Sequence, residues 1–311
     1  MIIDLHCDTI EKAYDNKLKL NAESLAFNTK QAKKNLPHIQ CLATFVHSKY
    51  AKGNNGVKRA NKIIDNFFRI YNPEDIIIIK SKEEINNKEL SKKIGAILTI
   101  ENGTAISGDL ENIKKFYNKG IRMMGIVWND DNDLACGAST TNDTGLTELG
   151  KKYIKELENQ NIIIDLSHSS KKTFWDTCRI TNNPIVASHS CVQKLCNHPR
   201  NLDDEQIKQI AKKEGVIGIC FCKPFITTKN TATVKDIVNH IDYITNLVGI
   251  DYISFGSDFD GLEKEHILQD IKGVNDYKLI INELILRGYK KEDIEKICYK
   301  NFLRVFNKVL K

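Results

Sequence analysis

No apolar stretch of the 311-residue sequence approaches the ~18 residues that a membrane-spanning helix needs. The first predicted strand begins at residue 2, which leaves no room for the charged and apolar regions of a secretory signal peptide. These two absences predict a soluble, cytoplasmic protein with no membrane partner.

Paired cysteine motifs are also missing, although the sequence contains nine cysteines. Their odd number, irregular spacing and lack of a CxxC motif exclude a disulfide framework and a zinc site made of thiolates. We interpret them as reduced, mostly buried thiols of an intracellular protein.

The charge pattern has neither a long basic block nor basic residues interleaved with aromatic ones. Lys and Arg number 46, Asp and Glu number 40, and many of them mix along helix faces such as residues 151–158. This pattern is typical of a solvated surface, so we expect no nucleic-acid partner. Linkers and low-complexity segments are lacking as well, and the length fits one catalytic domain over residues 1–311.

Eight short apolar runs rich in β-branched residues alternate with helical patterns, which predicts buried parallel strands between helices. The predicted strands are residues 2–5, 40–46, 94–100, 121–127, 162–166, 184–187, 216–221 and 252–255. The predicted helices are residues 57–71, 110–119, 148–160, 171–181, 204–213 and 234–248, followed by two helices within 276–311 that part at 287–290. This repeat favours a (β/α)8 TIM barrel, and a doubly wound open sheet is the alternative.

Several predicted strands follow a helix that ends near glycine or asparagine. Gly120, Asn161 and Gly215 stand at such positions. Both residue types readily adopt the left-handed conformation of a helix C-cap, so we expect the helices to end there.

Residue types that bind metals stand at the ends of the predicted strands, where barrel enzymes hold their catalytic groups. His6 and Asp8 are two residues apart and therefore point to the same side of an extended chain. They suit two ligands of one metal, or a structural hydrogen-bonded pair. Glu101 ends an apolar run and needs a partner, which is either Arg122 or a pair of cations bridged by its two oxygens.

Two histidines follow neighbouring strands at matching positions. His168 ends the run IIIDLSH and His189 ends PIVASH, and neutral imidazole is a common zinc ligand. Asp165, three residues before His168, is expected either to orient a ligand or to cap a nearby backbone group.

Further polar residues lie on the loops that follow the last strands. Asp258 is the better candidate for the inner site and Asp260 for holding the loop. Arg200 is expected either to pair with Asp203 or Asp204 or to bind a substrate carboxylate. His198 reads as a loop residue, and Asp203 is the expected cap of the following helix.

These stretches resemble the membrane (renal) dipeptidase family, dinuclear zinc peptidases of the metal-dependent hydrolase superfamily. The matching stretches, in family order, are DLHCD at 4, LTIENG at 98, GIRMMGIVWND at 120, IDLSHSS at 164, SHSCVQKLCNHPRNL at 188, FGSDFDG at 255 and NFLRVF at 301. The resemblance implies a (β/α) barrel of the metal-dependent hydrolase type that binds two zinc ions and is usually a homodimer.

The resemblance also implies a role for each matching residue. His6 and Asp8 would bind one zinc, His168 and His189 the other, and Glu101 would bridge the two. By the same comparison, Arg200 would bind the terminal carboxylate of a dipeptide and Asp258 would transfer protons at the scissile bond. Trp128 stands where vertebrate members have a histidine near the substrate carbonyl, so that Asn129 or the zinc itself would stabilise the oxyanion.

We therefore predict a zinc-dependent dipeptidase in which a hydroxide held between the metals attacks the peptide carbonyl. The alternatives are another hydrolase of the same superfamily, such as an N-acyl amino acid deacylase or a lactonase, and a non-catalytic metal-binding barrel. Many relatives in that superfamily carry two histidines after the first strand and a lysine on the fourth, which this sequence lacks. A non-catalytic barrel is expected to have lost a ligand, and every ligand position is filled here.

Overall fold

The computed structural model describes residues 1–310 and contains nine parallel strands. The strands are β1 Ile2–Cys7, β2 His38–Thr44, β3 Ile76–Ile78, β4 Ile94–Ile100, β5 Ile121–Gly125, β6 Ile163–Asp165, β7 Ile185–Ser190, β8 Val216–Ile219 and β9 Ile253–Phe255. β1 pairs with both β2 and β9, β2 pairs directly with β4, and β4 to β9 pair in sequence order. Eight strands therefore close into a (β/α)8 barrel, which confirms the predicted fold and rules out the open sheet.

The ninth strand, β3, was not predicted. It pairs with the first residues of β4, where Ile76 lies opposite Ile94, and it is not part of the closed ring. A run of three residues is too short for its periodicity to distinguish a strand from a turn.

Helices pack around the barrel at all the predicted places, and four further helices, Thr9–Asp15, Thr29–Ala32, Lys82–Ile85 and Lys223–Ile226, were not predicted. In chain order, the helices are Thr9–Asp15, Thr29–Ala32, Asn55–Ile70, Lys82–Ile85, Glu111–Asn118, Glu148–Asn159, Lys171–Ile180, Asp204–Lys212, Lys223–Ile226, Val234–Val248, Tyr277–Leu286, Lys291–Glu295 and Asn301–Val309. We label the first of these α1 (Thr9–Asp15), the third α2 (Asn55–Ile70) and the last α3 (Asn301–Val309).

The interior of the barrel is apolar and is closed at its amino-terminal end by α3. Inward-facing residues of the strands, including Ile3, Ile97 and Met123, form one buried cluster with Phe302 and Phe306 of this helix. Asn301 donates hydrogen bonds to carbonyls just before and within β9, which fixes the helix beneath the strands. The carboxyl-terminal end of the barrel is thereby left for the site.

The C-terminal segment contains the predicted break between two helical parts. After Tyr277–Leu286 the chain turns, and a second helical stretch runs through a π-helical turn at Lys296–Lys300 into α3. The last residue of the predicted segment, Lys311, lies outside the described residues.

The helix ends follow the prediction at two of three places. Gly120 and Asn161 adopt positive φ angles of 104° and 54°. The expectation for Gly215 is wrong, because Glu214 takes the left-handed conformation instead, with φ 54°. Glycine is needed at 215 for a different reason, since a Cβ atom there would lie 2.0 Å from the carbonyl oxygen of Ile185.

None of the helices within residues 1–310 combines the length and the apolar character that crossing a bilayer requires.

Candidate metal centre

The predicted ligands converge at the carboxyl ends of the barrel strands. His6 lies in β1 and His189 in β7, while Asp8, Glu101 and His168 lie within three residues beyond β1, β4 and β6. All five residues are buried, with exposed fractions of at most 7%. The closed parallel barrel brings them together because every strand ends at the same rim.

One group of donors surrounds His6. Its Nε2 atom lies 3.4 Å from Asp8 Oδ2 and 3.6 Å from Glu101 Oε2. Asp258 Oδ1 is 3.8 Å away from the same nitrogen. His6, Asp8 and Glu101 thus present one nitrogen and two carboxylate oxygens to a common point, which suits a divalent zinc-type cation.

A second group of donors shares Glu101 with the first. Glu101 Oε1 lies 2.9 Å from His168 Nε2 and 4.0 Å from His189 Nε2. The two oxygens of one carboxylate therefore face different sets of imidazoles. This is the arrangement expected of a residue that bridges two cations.

Hydrogen bonds fix which ring nitrogens of the two histidines face the site. His168 Nδ1 is 2.8 Å from Asn129 Oδ1, an acceptor, and therefore carries the proton. His189 Nδ1 is 2.8 Å from Ser188 Oγ, which in turn donates to Asp165 Oδ2 at 2.5 Å. Both Nδ1 atoms then donate, and the Nε2 lone pairs face each other at 2.7 Å, as ligands of a cation do.

Two buried atoms at the centre have no hydrogen-bond partner among the described residues. They are His6 Nε2 and Asp8 Oδ1. A buried polar atom without a partner costs about 1 to 3 kcal/mol, so such atoms at the meeting point of several ligands indicate a binding role. The donor set of three imidazoles and two carboxylates therefore fits two zinc-type cations.

The electrostatics of the centre favour bound positive charge. Burial opposes a charge on His6, yet the surrounding carboxylates, Asp8 foremost, raise its pKa to about 10. Burial lowers the pKa of His168 and His189 well below the usual histidine value, which keeps both imidazoles neutral and able to bind metal. Burial and the charge of Asp8 raise the pKa of Glu101 well above its ordinary value.

Asp258 has the geometry expected of an inner-site carboxylate. It lies beyond β9 with a positive φ of 62°. Burial and the charge of Asp8 raise its pKa to about 7. Cys220 Sγ donates a weak hydrogen bond to Asp258 Oδ2 at 3.7 Å, a contact that sequence reasoning did not find. A carboxyl group with such a pKa is suited to exchanging a proton near neutral pH.

Asp165 combines both of the roles considered for it. Its Oδ1 atom accepts hydrogen bonds from the backbone nitrogens of Ser167 and Ser188, at 3.0 and 2.9 Å. Its Oδ2 atom orients His189 through the Ser188 hydroxyl. Sequence reasoning missed Ser188, whose only signal is its position directly before a candidate ligand.

Arg200 is buried beside the histidine pair and has no carboxylate partner among residues 1–310. Its Nη2 atom donates to the carbonyl oxygen of His189 at 3.2 Å, and its Nε atom has no partner. Asp203 instead caps the following helix and pairs with Lys171. Asp204 accepts from Tyr243 Oη. The alternative of an ion pair between Arg200 and Asp203 or Asp204 is therefore wrong, and the guanidinium is available to a ligand.

Arg122 does not pair with Glu101 either. Its guanidinium donates to the backbone carbonyls of Lys80, Tyr117 and Ile121. Arg122 therefore does not neutralise the buried carboxylate of Glu101. The polar neighbours of this carboxylate are the imidazoles of His6 and His168.

A cavity of about 650 Å³ opens over the centre. Asp8, Glu101, His168, Arg200 and Asp258 line it, and His6 and His189 lie beneath them. Trp128 and Asn129 form part of the wall as well. The cavity has the size of a pocket for a small ligand.

Trp128 and its neighbours make one side of the cavity aromatic. The centre of the Trp128 ring lies 5.2 Å from the ring centre of Phe45, 5.3 Å from that of His47 and 6.0 Å from that of His168. Asn129 uses its carbonyl oxygen on His168, so that its amide nitrogen is the group left for a ligand.

His198 and Asp260 have the structural roles expected of them. His198 Nδ1 accepts from the backbone nitrogen of Arg200 at 3.1 Å. Asp260 accepts from Thr9 Oγ1 at 2.6 Å, from Lys12 Nζ at 3.0 Å and from the backbone nitrogen of Ala26 at 2.9 Å. Asp260 therefore holds the loop that carries Asp258 against α1.

Comparisons with known proteins find relatives of this chain. The model of the membrane dipeptidase family (peptidase family M19) matches residues 1–311. An uncharacterised protein encoded 5′ of pqqA in Klebsiella pneumoniae is 33% identical over 74% of this chain and 87% of its own length. Mouse dipeptidase 3 is 25% identical over 76% of this chain and 48% of its own length.

A metallo peptidase from Rhodobacter sphaeroides has the same fold. Its crystal structure, solved with a phosphinate mimic of the dipeptide L-Ala-D-Ala, superposes with a TM-score of 0.90 over 99% of both chains. The identity is 21%, so this likeness concerns the fold.

Proposed function

The chain belongs to the membrane dipeptidase family and is a metallo-dipeptidase, and on this premise we propose that it cleaves dipeptides with two zinc ions. His6 and Asp8 would hold one ion, His168 and His189 would hold the other, and Glu101 would contribute an oxygen to each. Zinc held there would supply a Lewis acid for the peptide carbonyl and would lower the pKa of a water molecule to ~7, so that a nucleophile would exist at neutral pH.

The observation that carries this proposal is the position of Glu101. One of its oxygens lies 3.6 Å from the imidazole of His6 and the other 2.9 Å from that of His168. A buried carboxylate shared by two sets of donors supports a dinuclear centre over a single metal site. A third possible group, which includes Asp165, is less suited because both Asp165 oxygens already accept hydrogen bonds.

The remaining residues of the cavity bind and orient the substrate in this proposal. Asp258 accepts the proton of the attacking water and returns it to the leaving amine. Arg200 binds the free carboxylate of the dipeptide, which sets the length of the substrate. Asn129 donates its amide to the carbonyl oxygen, and Trp128 packs against the substrate backbone.

The assembly of the protein is proposed from the family resemblance, and its location from its unpaired cysteines. We propose a homodimer of one-domain chains, located in the cytoplasm. Size determination in solution and cell fractionation test these two points separately from the chemistry.

An activity panel tests the proposed reaction. Purified protein with measured zinc content is assayed on L,L- and L,D-dipeptides, matched tripeptides, N-acyl amino acids and a lactone. We expect hydrolysis of dipeptides that a chelator abolishes and added zinc restores, with tripeptides resistant because Arg200 needs a carboxylate one residue beyond the cut. Preferential cleavage of N-acyl amino acids or of the lactone would contradict the proposal.

A further inference from the structure

Glu11 is a further carboxylate that lines the cavity, beside the group formed by His6, Asp8 and Glu101. Asp8 is the N-cap residue of α1 and Glu11 follows in its first turn, so that the two residues lie three apart on one face of the helix. Glu11 lines the same cavity as Asp8, Arg200 and Asp258, and its side chain is 21% exposed. It is not among the candidate metal ligands of the described residues.

An arginine of the neighbouring helix holds Glu11 in place. Arg59 of α2 donates from Nη2 to Glu11 Oε1 at 3.0 Å. The same guanidinium donates a bidentate pair of hydrogen bonds to the Asp15 carboxylate, at 2.7 and 2.6 Å. It also lies 4.9 Å from the ring centre of Tyr14 and 5.6 Å from that of Tyr50. Glu11 is therefore attached to a rigid support rather than to a flexible surface.

Glu11 is more than a counter-ion for this arginine. Asp15 already neutralises Arg59 through both of its oxygens. Arg59 therefore does not depend on Glu11 as its counter-ion, and no residue of the described chain hydrogen-bonds to the second oxygen of Glu11, Oε2. Burial and the charge of Asp8 raise the pKa of Glu11 to about 7. A carboxyl group in this position, next to another carboxylate and with one oxygen free, is suited to a cationic group of a ligand.

Arg200 and Glu11 are charged residues of the cavity wall that lie beside different groups of ligands. Arg200 contacts the backbone of His189 in the second group of ligands, and Glu11 follows Asp8 of the first. A dipeptide lying across both groups has its carboxylate at one end and its ammonium group at the other. Its polarity then matches that of the cavity.

We propose that Glu11 binds the free α-ammonium group of the substrate and so selects dipeptides with an unblocked amino terminus. This inference rests on the proposed dipeptidase function and adds to it the group that recognises the amino end. It predicts that Glu11 and the substrate amine contribute to catalysis as a pair.

Assays of the wild type and of Glu11→Gln on two substrates test whether Glu11 and the substrate amine act as a pair. The substrates are L-alanyl-L-alanine and propionyl-L-alanine, which has the same shape but lacks the amine. In the wild type, loss of the amine should lower kcat/KM by about tenfold to a hundredfold, the usual range for a hydrogen bond to a charged group. In Glu11→Gln, which keeps the size of the side chain, the two substrates should differ by less than about threefold.

The matched control is Glu263→Gln, because Glu263 is an exposed carboxylate at the mouth of the same cavity. This variant should keep the wild-type preference for the free amine, and zinc content should be unchanged in both variants. A preference that survives Glu11→Gln, or an equal loss with both substrates, would overturn the inference.

Failure of the proposed function gives a different result. A wild-type protein that hydrolyses neither compound contradicts the dipeptidase proposal itself. The same four combinations are then measured by calorimetric binding of the zinc-loaded protein. Loss of the amine preference in Glu11→Gln would still support the role of Glu11, and its persistence would reject it.

Discussion

At the scale of single residues, Asp258 is distinguished from the ligands by its place at the edge of the centre. Its Oδ1 atom is 3.8 Å from His6 Nε2, farther than the nearest oxygens of Asp8 and Glu101. It also belongs to none of the three groups of possible ligands. A carboxylate that is near the reacting atoms but not required for metal binding can exchange protons with the substrate.

Replacing Asp258 therefore separates chemistry from metal binding. We expect Asp258→Asn to lower kcat by at least about a hundredfold, because general acid and base catalysis contributes roughly that much. The zinc content, measured by atomic absorption, should stay at the wild-type level. Glu101→Gln is the contrasting variant, in which metal and activity should fall together.

A combined loss of zinc and turnover in Asp258→Asn would show that this residue is a ligand. Full activity in the same variant would show that the proton is transferred by another group.

At the scale of elements, the loop after β9 is held by contacts with distant segments. Asp260 has a fully buried side chain that accepts hydrogen bonds from α1 and from the backbone at Ala26 and Phe27. Gly261 follows, and a Cβ atom there would lie 2.2 Å from Asp8 Oδ2. The loop thus links the position of Asp258 to that of a proposed ligand.

Removal of the Asp260 carboxylate should loosen this link. We expect Asp260→Ala to lower the free energy of unfolding by about 3 kcal/mol, because it leaves Lys12 and buried backbone donors without their acceptor. Urea unfolding measures this loss, and Glu263→Ala on the exposed part of the same loop should change stability by less than about 0.5 kcal/mol. Equal stability of the two variants would contradict the anchoring role.

In the molecule as a whole, the two ends of the barrel carry different kinds of side chain. Apolar side chains of the strands and α3 close the amino-terminal end. The carboxyl-terminal end collects buried carboxylates and imidazoles, whose mutual repulsion and desolvation oppose folding. Cations bound there offset this cost, so stability and metal binding are linked.

Metal removal should therefore destabilise the whole fold. Free zinc at a thousand times its dissociation constant should stabilise the native state by about 4 kcal/mol per site. We expect a chelator to lower the midpoint of thermal unfolding, measured by calorimetry, and zinc to restore it. Glu101→Gln should lack most of this response. A midpoint unaffected by chelator and zinc in the wild type would argue against metal binding at this site.

The eight barrel strands and the residues at their ends were predictable from the amino-acid sequence. Buried parallel strands are recognisable from apolar runs, and polar residues that follow such runs reach one rim whatever the details of packing. His6, Glu101 and His168 were therefore placed correctly at the rim from local patterns and their likeness to a family.

The orientation of these groups and their surroundings follow from the three-dimensional packing and could not be predicted. The proton positions of His189 depend on Ser188 and Asp165, and the loop of Asp258 depends on a contact between residues 26 and 260, which are 234 positions apart. The pairing of Arg59 with Glu11 likewise joins two helices 48 positions apart. Such contacts have no local periodicity, because they arise only when the closure of the barrel brings distant segments within hydrogen-bonding distance.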